Sequence, residues 1–242
     1  MLKKIIIFIT VLIFATTTYS QTAMDYYNLA QQAKKEYRYT EAIEYYKLAG
    51  NLYKEAGRKG NYAIIQNNIG SLYYGLGQYD KAIENFRKAL AIAEELGQQG
   101  YIATLLNNIG MVYDSWGQYD KAIEYYRKAL AIDEELGIKE GIAIDLNNIG
   151  SVYDSWGQYD KAIENYRKAL AIDEELGIKE GIAIDLNNIG LVYKSWGQYD
   201  KAIEYYRKAL TIDEELGRKE GIAIDLNNIG LVYKSWGQYD KA

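Results

Sequence analysis

The chain has 242 residues, 49% of them apolar and 25% charged, with no cysteine, no histidine and no proline. This excludes a disulfide framework and thiolate metal sites, and it removes the commonest general base and zinc ligand. A net charge of −5 offers no electrostatic footprint for nucleic acid.

Met1-Leu2-Lys3-Lys4 is a short basic start, followed by an apolar run from Ile5 to Ala15. Thr18 and Ser20 satisfy a small-x-small cleavage rule. Residues 1–20 are therefore expected to be a cleavable signal peptide, with Gln21 as the mature N-terminus. The apolar run spans 11 residues, whereas a membrane-spanning helix needs about 20. The expectation is an exported bacterial protein, periplasmic or secreted, without stable membrane insertion after cleavage. The alternative is an N-terminal segment that stays uncleaved and anchors the chain.

The rest is one repeated unit. Asn-Asn-Ile-Gly recurs at Asn67, Asn107, Asn147, Asn187 and Asn227, always 40 residues apart. Segments 107–146 and 147–186 differ at two positions, Met111/Ser151 and Tyr125/Asn165. A diverged earlier copy places Tyr39, Ala42, Ile43, Tyr46, Ala49 and Gly57 on Tyr79, Ala82, Ile83, Phe86, Ala89 and Gly97. A strict period of this length means stacked supersecondary units, each touching its neighbours.

Within a unit the apolar spacing is helical. Leu146, Ile149, Gly150, Tyr153 and Trp156 form one stripe, and Gly157 stops that helix. Tyr159, Ala162, Ile163, Tyr166, Ala169 and Leu170 form a second stripe, ended by Gly177. Glu164 and Lys168 make an i, i+4 pair on the solvent side. Gly150, Ala162 and Ala169 allow close approach of the two helices, and Tyr153, Trp156 and Tyr166 fill the gaps. Each unit is a helical hairpin whose core is completed by the next.

The pattern Leu146-x2-Ile149-Gly150-x2-Tyr153-x3-Gly157-x-Tyr159-x2-Ala162-x3-Tyr166-x2-Ala169-Leu170 resembles the tetratricopeptide repeat signature. The period is about six residues longer than in the common repeat, and Glu174 stands where a closing proline is usual. Both departures resemble the long-repeat branch of kinesin light chains, GoLoco-motif scaffolds and bacterial signalling arrays. The resemblance implies an all-α, right-handed α-α superhelix of antiparallel helix pairs over residues 21–242. Five complete pairs are expected to start near residues 23, 61, 101, 141 and 181, with a truncated sixth from about 221. The lack of a polar terminal cap predicts a fragment, or the front of a longer protein.

The first helix carries a second, polar face with Ile144, Asn147, Asn148, Ser151, Asp154 and Ser155. In the resembling family the corresponding face lines a concave groove, where an asparagine at the place of Asn148 often bonds a peptide backbone. The implied ladder is Asn68, Asn108, Asn148, Asn188 and Asn228. A second reading has these asparagines tying neighbouring helices across the stack. Copy-specific groove positions read Ser71, Met111, Ser151, Leu191, Leu231 and Tyr74, Asp114, Asp154, Lys194, Lys234. They predict a groove that is acidic in the middle and basic and apolar towards the C-terminal end, where Arg218 also replaces Ile178. Drift at exposed positions after duplication is the other reading.

The tryptophans Trp116, Trp156, Trp196 and Trp236 are expected to pack between helices. The runs Asp133-Glu134-Glu135, Asp173-Glu174-Glu175 and Asp213-Glu214-Glu215 are expected on a solvated face, since consecutive helical residues cannot converge on one ion. No catalytic, cofactor or metal motif stands out. The expected function is a non-enzymatic, exported scaffold that binds a protein or peptide. The alternative is the sensory front of a larger signalling protein, a histidine kinase or a caspase-like protease. Self-association through the uncapped C-terminal end is a further expectation.

Overall fold

A computed structural model of the protein describes residues 21–241. The expected signal segment lies outside the described residues. Helix α1 runs through 21–35 and is followed by α2 (Tyr39–Glu55), α3 (Lys59–Gly75), α4 (Tyr79–Glu95) and α5 (Gln99–Ser115). Next come α6 (Tyr119–Leu136), α7 (Lys139–Ser155), α8 (Tyr159–Leu176), α9 (Lys179–Ser195), α10 (Tyr199–Leu216) and α11 (Lys219–Ser235). A short 3-10 turn, Tyr239–Lys241, follows, and no strand occurs among the described residues. None of these helices is long and apolar enough to cross a membrane. The chain divides into two compact units at Trp116/Gly117.

The links are short because most of the helices end in a Schellman closure. Gly157 has φ +73°, a conformation that costs a residue without Cβ nothing. Its N–H donates to Asp154 O at 2.9 Å, and Gln158 N–H donates to Tyr153 O at 2.8 Å. Two terminal carbonyls are thereby satisfied. Gly177 does the same for α8, with Ile178 N–H donating to Asp173 O at 2.9 Å. The next helix starts directly after the turn. Helices α3, α5, α7 and α9 therefore begin at Lys59, Gln99, Lys139 and Lys179, two residues ahead of the expected starts.

In the first unit, Ala42, Ile43, Tyr46 and Ala49 of α2 pack with Ile65, Ile69 and Leu72 of α3. In the second, Ala143 and Leu146 of α7 bury against Ala169 of α8, with Leu130, Ile142 and Ile172 around them. Gly150 is what lets α7 and α8 meet, since a Cβ there would stand 2.8 Å from the Tyr166 ring. On the surface, Lys168 pairs with Glu164 at 2.6 Å. Arg127 donates to the Tyr153 hydroxyl, and Arg167 to that of Tyr193, at 3.2 and 3.3 Å.

Two expectations need correction. The tryptophans do not fill the core: all four remain 37–40% exposed. Each caps the C-terminus of a first helix and lies against a tyrosine of the preceding hairpin, as Trp156 does on Tyr119 at 5.9 Å. The acidic runs are not wholly solvated either. Their glutamates are exposed, but Asp133, Asp173 and Asp213 are buried. They lie under the first turn of the following helix, where a glycine leaves room for a carboxylate.

Candidate functional site

The second unit holds a cleft of about 570 Å³ between α7 and α9, with residues of α8 at its base. Ile144 and Ile184, 57% and 49% exposed, stand at its rim. Asn148 and Ser151 follow Ile144 at i+4 and i+7 on the same face of α7, so all three reach the cleft. Asn147 and Asn188 also line it, Tyr166 and Asp173 come from α8, and Glu140, Ile178 and Gly181 close one end. The volume falls within the range of ordinary ligand pockets.

Beside the cleft runs a set of buried amide–carboxylate bonds. Asn147 Nδ2 donates to Asp185 Oδ1 at 2.6 Å, and Asn187 Nδ2 donates to Asp225 Oδ1 at 2.5 Å. Asp145, Asp185 and Asp225 have no exposure at all. Burial pushes the Asp185 carboxyl up to about 7; the Asn147 bond opposes this and the nearby Asp173 charge adds to it. Burial also raises Asp225. These aspartates were not among the expected site residues. The usable signal was the succession Ile65, Leu105, Asp145, Asp185, Asp225 at one position of the repeat, which is apolar in the earlier copies.

The asparagine ladder makes bonds across repeats. In the first unit, Asn108 Nδ2 donates to Asn67 Oδ1 at 2.8 Å, while Asn68 Nδ2 is buried without a hydrogen-bond partner. In the second, Asn188 reaches Asn147 and Asn228 reaches Asn187, each at 3.4 Å. Those two contacts are long for N–H···O bonds. Only Asn148 and Asn188 of the ladder line the cleft.

The copy-specific positions are more varied than a run of exposed charges. Asp114 in the first unit and Asp154 in the second are half-buried, and burial raises both carboxyls. Asp154 Oδ1 is buried without a hydrogen-bond partner. Met111 and Lys194 are half-buried, whereas Leu191, Leu231 and Lys234 are exposed. None of these residues lines the cleft. Among the described residues, no group of three or more His, Cys, Asp or Glu is placed to hold a metal ion.

A family profile described as tetratricopeptide repeat matches residues 21–95, 61–135, 101–175 and 181–242. The chain belongs to the tetratricopeptide repeat family, and its fold is that family's all-α solenoid of helix pairs. Curated proteins give no match. Among solved structures, BtubC (BKLC) from P. vanneervenii is 25% identical, with 96% of this chain and 86% of that one covered at a TM-score of 0.67. A Podosopora anserina putative kinesin light chain with nearly identical TPR-like repeats is 18% identical, with 83% and 98% covered and a TM-score of 0.69. A Rap protein complexed with competence and sporulation factor is 20% identical, with 89% and 64% covered and a TM-score of 0.68.

Proposed function

We propose that the protein is an exported, non-enzymatic scaffold that holds a segment of a partner protein in the cleft between α7 and α9. The single observation that carries this reading is the exposed pair Ile144 and Ile184 beside the amides of Asn148 and Asn188. Exposed aliphatic side chains favour burial against a partner, and amides carry both donors and an acceptor for a peptide unit. The long Asn188–Asn147 contact can be exchanged for a bond to ligand backbone at little cost. The Rap protein of similar fold, crystallised in complex with competence and sporulation factor, lends support.

The test is a peptide-array screen on the full chain and on the double variant Asn148→Ala/Asn188→Ala. Binding should weaken for most peptides in the double variant and persist in the outer-face variant Glu164→Ala. Equal responses to both would remove the cleft as the binding site. Export rests on the 1–20 segment alone and is tested by N-terminal sequencing of the secreted or periplasmic product. Gln21 should be its first residue.

A further inference from the structure

We propose that the α7–α9 cleft is selective for an arginine side chain of the partner, whose guanidinium would bridge Asp173 and Glu140. This deepens the scaffold reading and rests on it.

Two repeats of the same molecule differ at this place. One repeat on from the cleft, Arg218 Nη1 pairs with the buried Asp213 carboxylate at 3.1 Å. Its Nε lies 3.8 Å from Glu180. Asp213, Glu180 and Arg218 correspond by the 40-residue period to Asp173, Glu140 and Ile178. The cleft therefore keeps both carboxylates of that arrangement and lacks its cation.

Asp173 is 6% exposed and lines the cleft. Its carboxylate makes no hydrogen bond or ion pair among the described residues. It is pressed against α9 at Gly181, where a Cβ would come within 1.9 Å of Oδ2. Glu140 is close enough to add a like-charge penalty to burial, and both effects raise the Asp173 carboxyl. No basic residue lines this cleft. A buried carboxylate beside a second one, with no basic side chain among the lining residues, is completed by a cation from outside.

Guanidinium suits the place better than ammonium. Its planar fork can serve two acceptors at once, and Arg218 shows that the local backbone accommodates it. Ile144 and Ile184 at the rim would take aliphatic residues flanking the arginine.

The probes are acetyl-Ile-Arg-Ile-amide and its citrulline counterpart, which has nearly the same shape but no charge. They are titrated into the full chain with amide shifts followed by NMR. The arginine peptide should bind about tenfold more tightly than the citrulline peptide, with the largest shifts at Gly181 and Asn188. Ile178→Arg should abolish the preference by supplying the guanidinium internally. That variant repeats the Gly-Arg-Lys-Glu-Gly sequence of 217–221, so it is expected to fold. Asp173→Asn should abolish the preference independently. Equal binding of both peptides with shifts in the cleft would overturn the arginine inference and leave the scaffold reading standing. Absence of binding by both, or shifts confined to the outer face near Glu164, would overturn both. A preference that survives Ile178→Arg would place the arginine elsewhere and overturn the inference alone.

Discussion

Asn147 of one repeat donates its side-chain amide to the fully buried carboxylate of Asp185, 38 residues further on, at 2.6 Å. The other carboxylate oxygen, Asp185 Oδ2, is buried without a hydrogen-bond partner. An unsatisfied carboxylate in a helix–helix seam is costly while charged, and protonation relieves the cost.

Stability should therefore depend on pH with a defined sign. The Asp185 carboxyl titrates at about 7 in the folded chain and at about 3.9 when unfolded. Between those values the folded state holds a proton that the unfolded state releases. The contribution is fully present below pH ~4 and is lost as pH rises through ~7, at up to about 1.4 kcal/mol per pH unit. Asp225 acts in the same direction. Asp185→Asn keeps the acceptor for Asn147 and removes the charge. Chemical denaturation at several pH values should show a flatter profile and higher stability at pH 8 for the variant. An unchanged slope would mean that Asp185 stays charged in the fold.

Tyr206 is fully buried and its hydroxyl has no hydrogen-bond partner. Phe86 occupies the same place in an earlier repeat and is also fully buried. Tyr206→Phe should leave stability unchanged or raise it by about 1 kcal/mol, because the removed group was desolvated without compensation. A loss above about 2 kcal/mol on urea unfolding would reveal a bond to the hydroxyl.

Gly150→Ala should destabilise by about 1–3 kcal/mol through overpacking against Tyr166. Gly157 has open space around its Cβ position, so alanine there should cost through its φ of +73° alone. A Gly150→Ala chain whose thermal midpoint matches the parent would show that α8 yields more readily than its packing implies.

Trp156 and Trp236 stand in matching surroundings, 40% and 37% exposed, each 5.9 Å from a tyrosine of the preceding hairpin. Replacing either by alanine should cost similar amounts, about 1–2 kcal/mol for a half-exposed aromatic pair. A difference of 3 kcal/mol or more between the two variants, on the scale of a buried aromatic truncation, would be inconsistent with this exposure.

Helix α11 presents Leu226 at 54% exposure, while its counterpart Leu186 in α9 is 7% exposed. Amides of Lys219–Ser235 should exchange faster than those of Lys179–Ser195, since burial on one face sets local stability. Equal protection would mean that the exposed face is covered in solution.

Much of the architecture was legible in the sequence. Gly157 and Gly177 announce left-handed helix ends, and the Leu146–Trp156 and Tyr159–Leu170 stripes announce the two buried faces. Both signals depend on residues within a few turns of one another. The Asn148 and Asn188 face was legible for the same reason. The exposure of Trp156 was not legible, because a stripe shows which side of its own helix a residue takes and not how far the neighbouring helices cover it.

What the sequence determined by itself is therefore the hairpin, its 40-residue period and the helix ends, all set by backbone conformation and spacing within one unit. Tertiary structure alone decided that Asp173 and Asp185 are buried, and that Asn147 bonds a carboxylate 38 residues away. It also decided that Arg218 completes in one repeat an arrangement that Ile178 leaves open in another. The physical reason is that a polar residue's cost or use depends on what the neighbouring repeat places against it, and repeats of near-identical sequence present different neighbours.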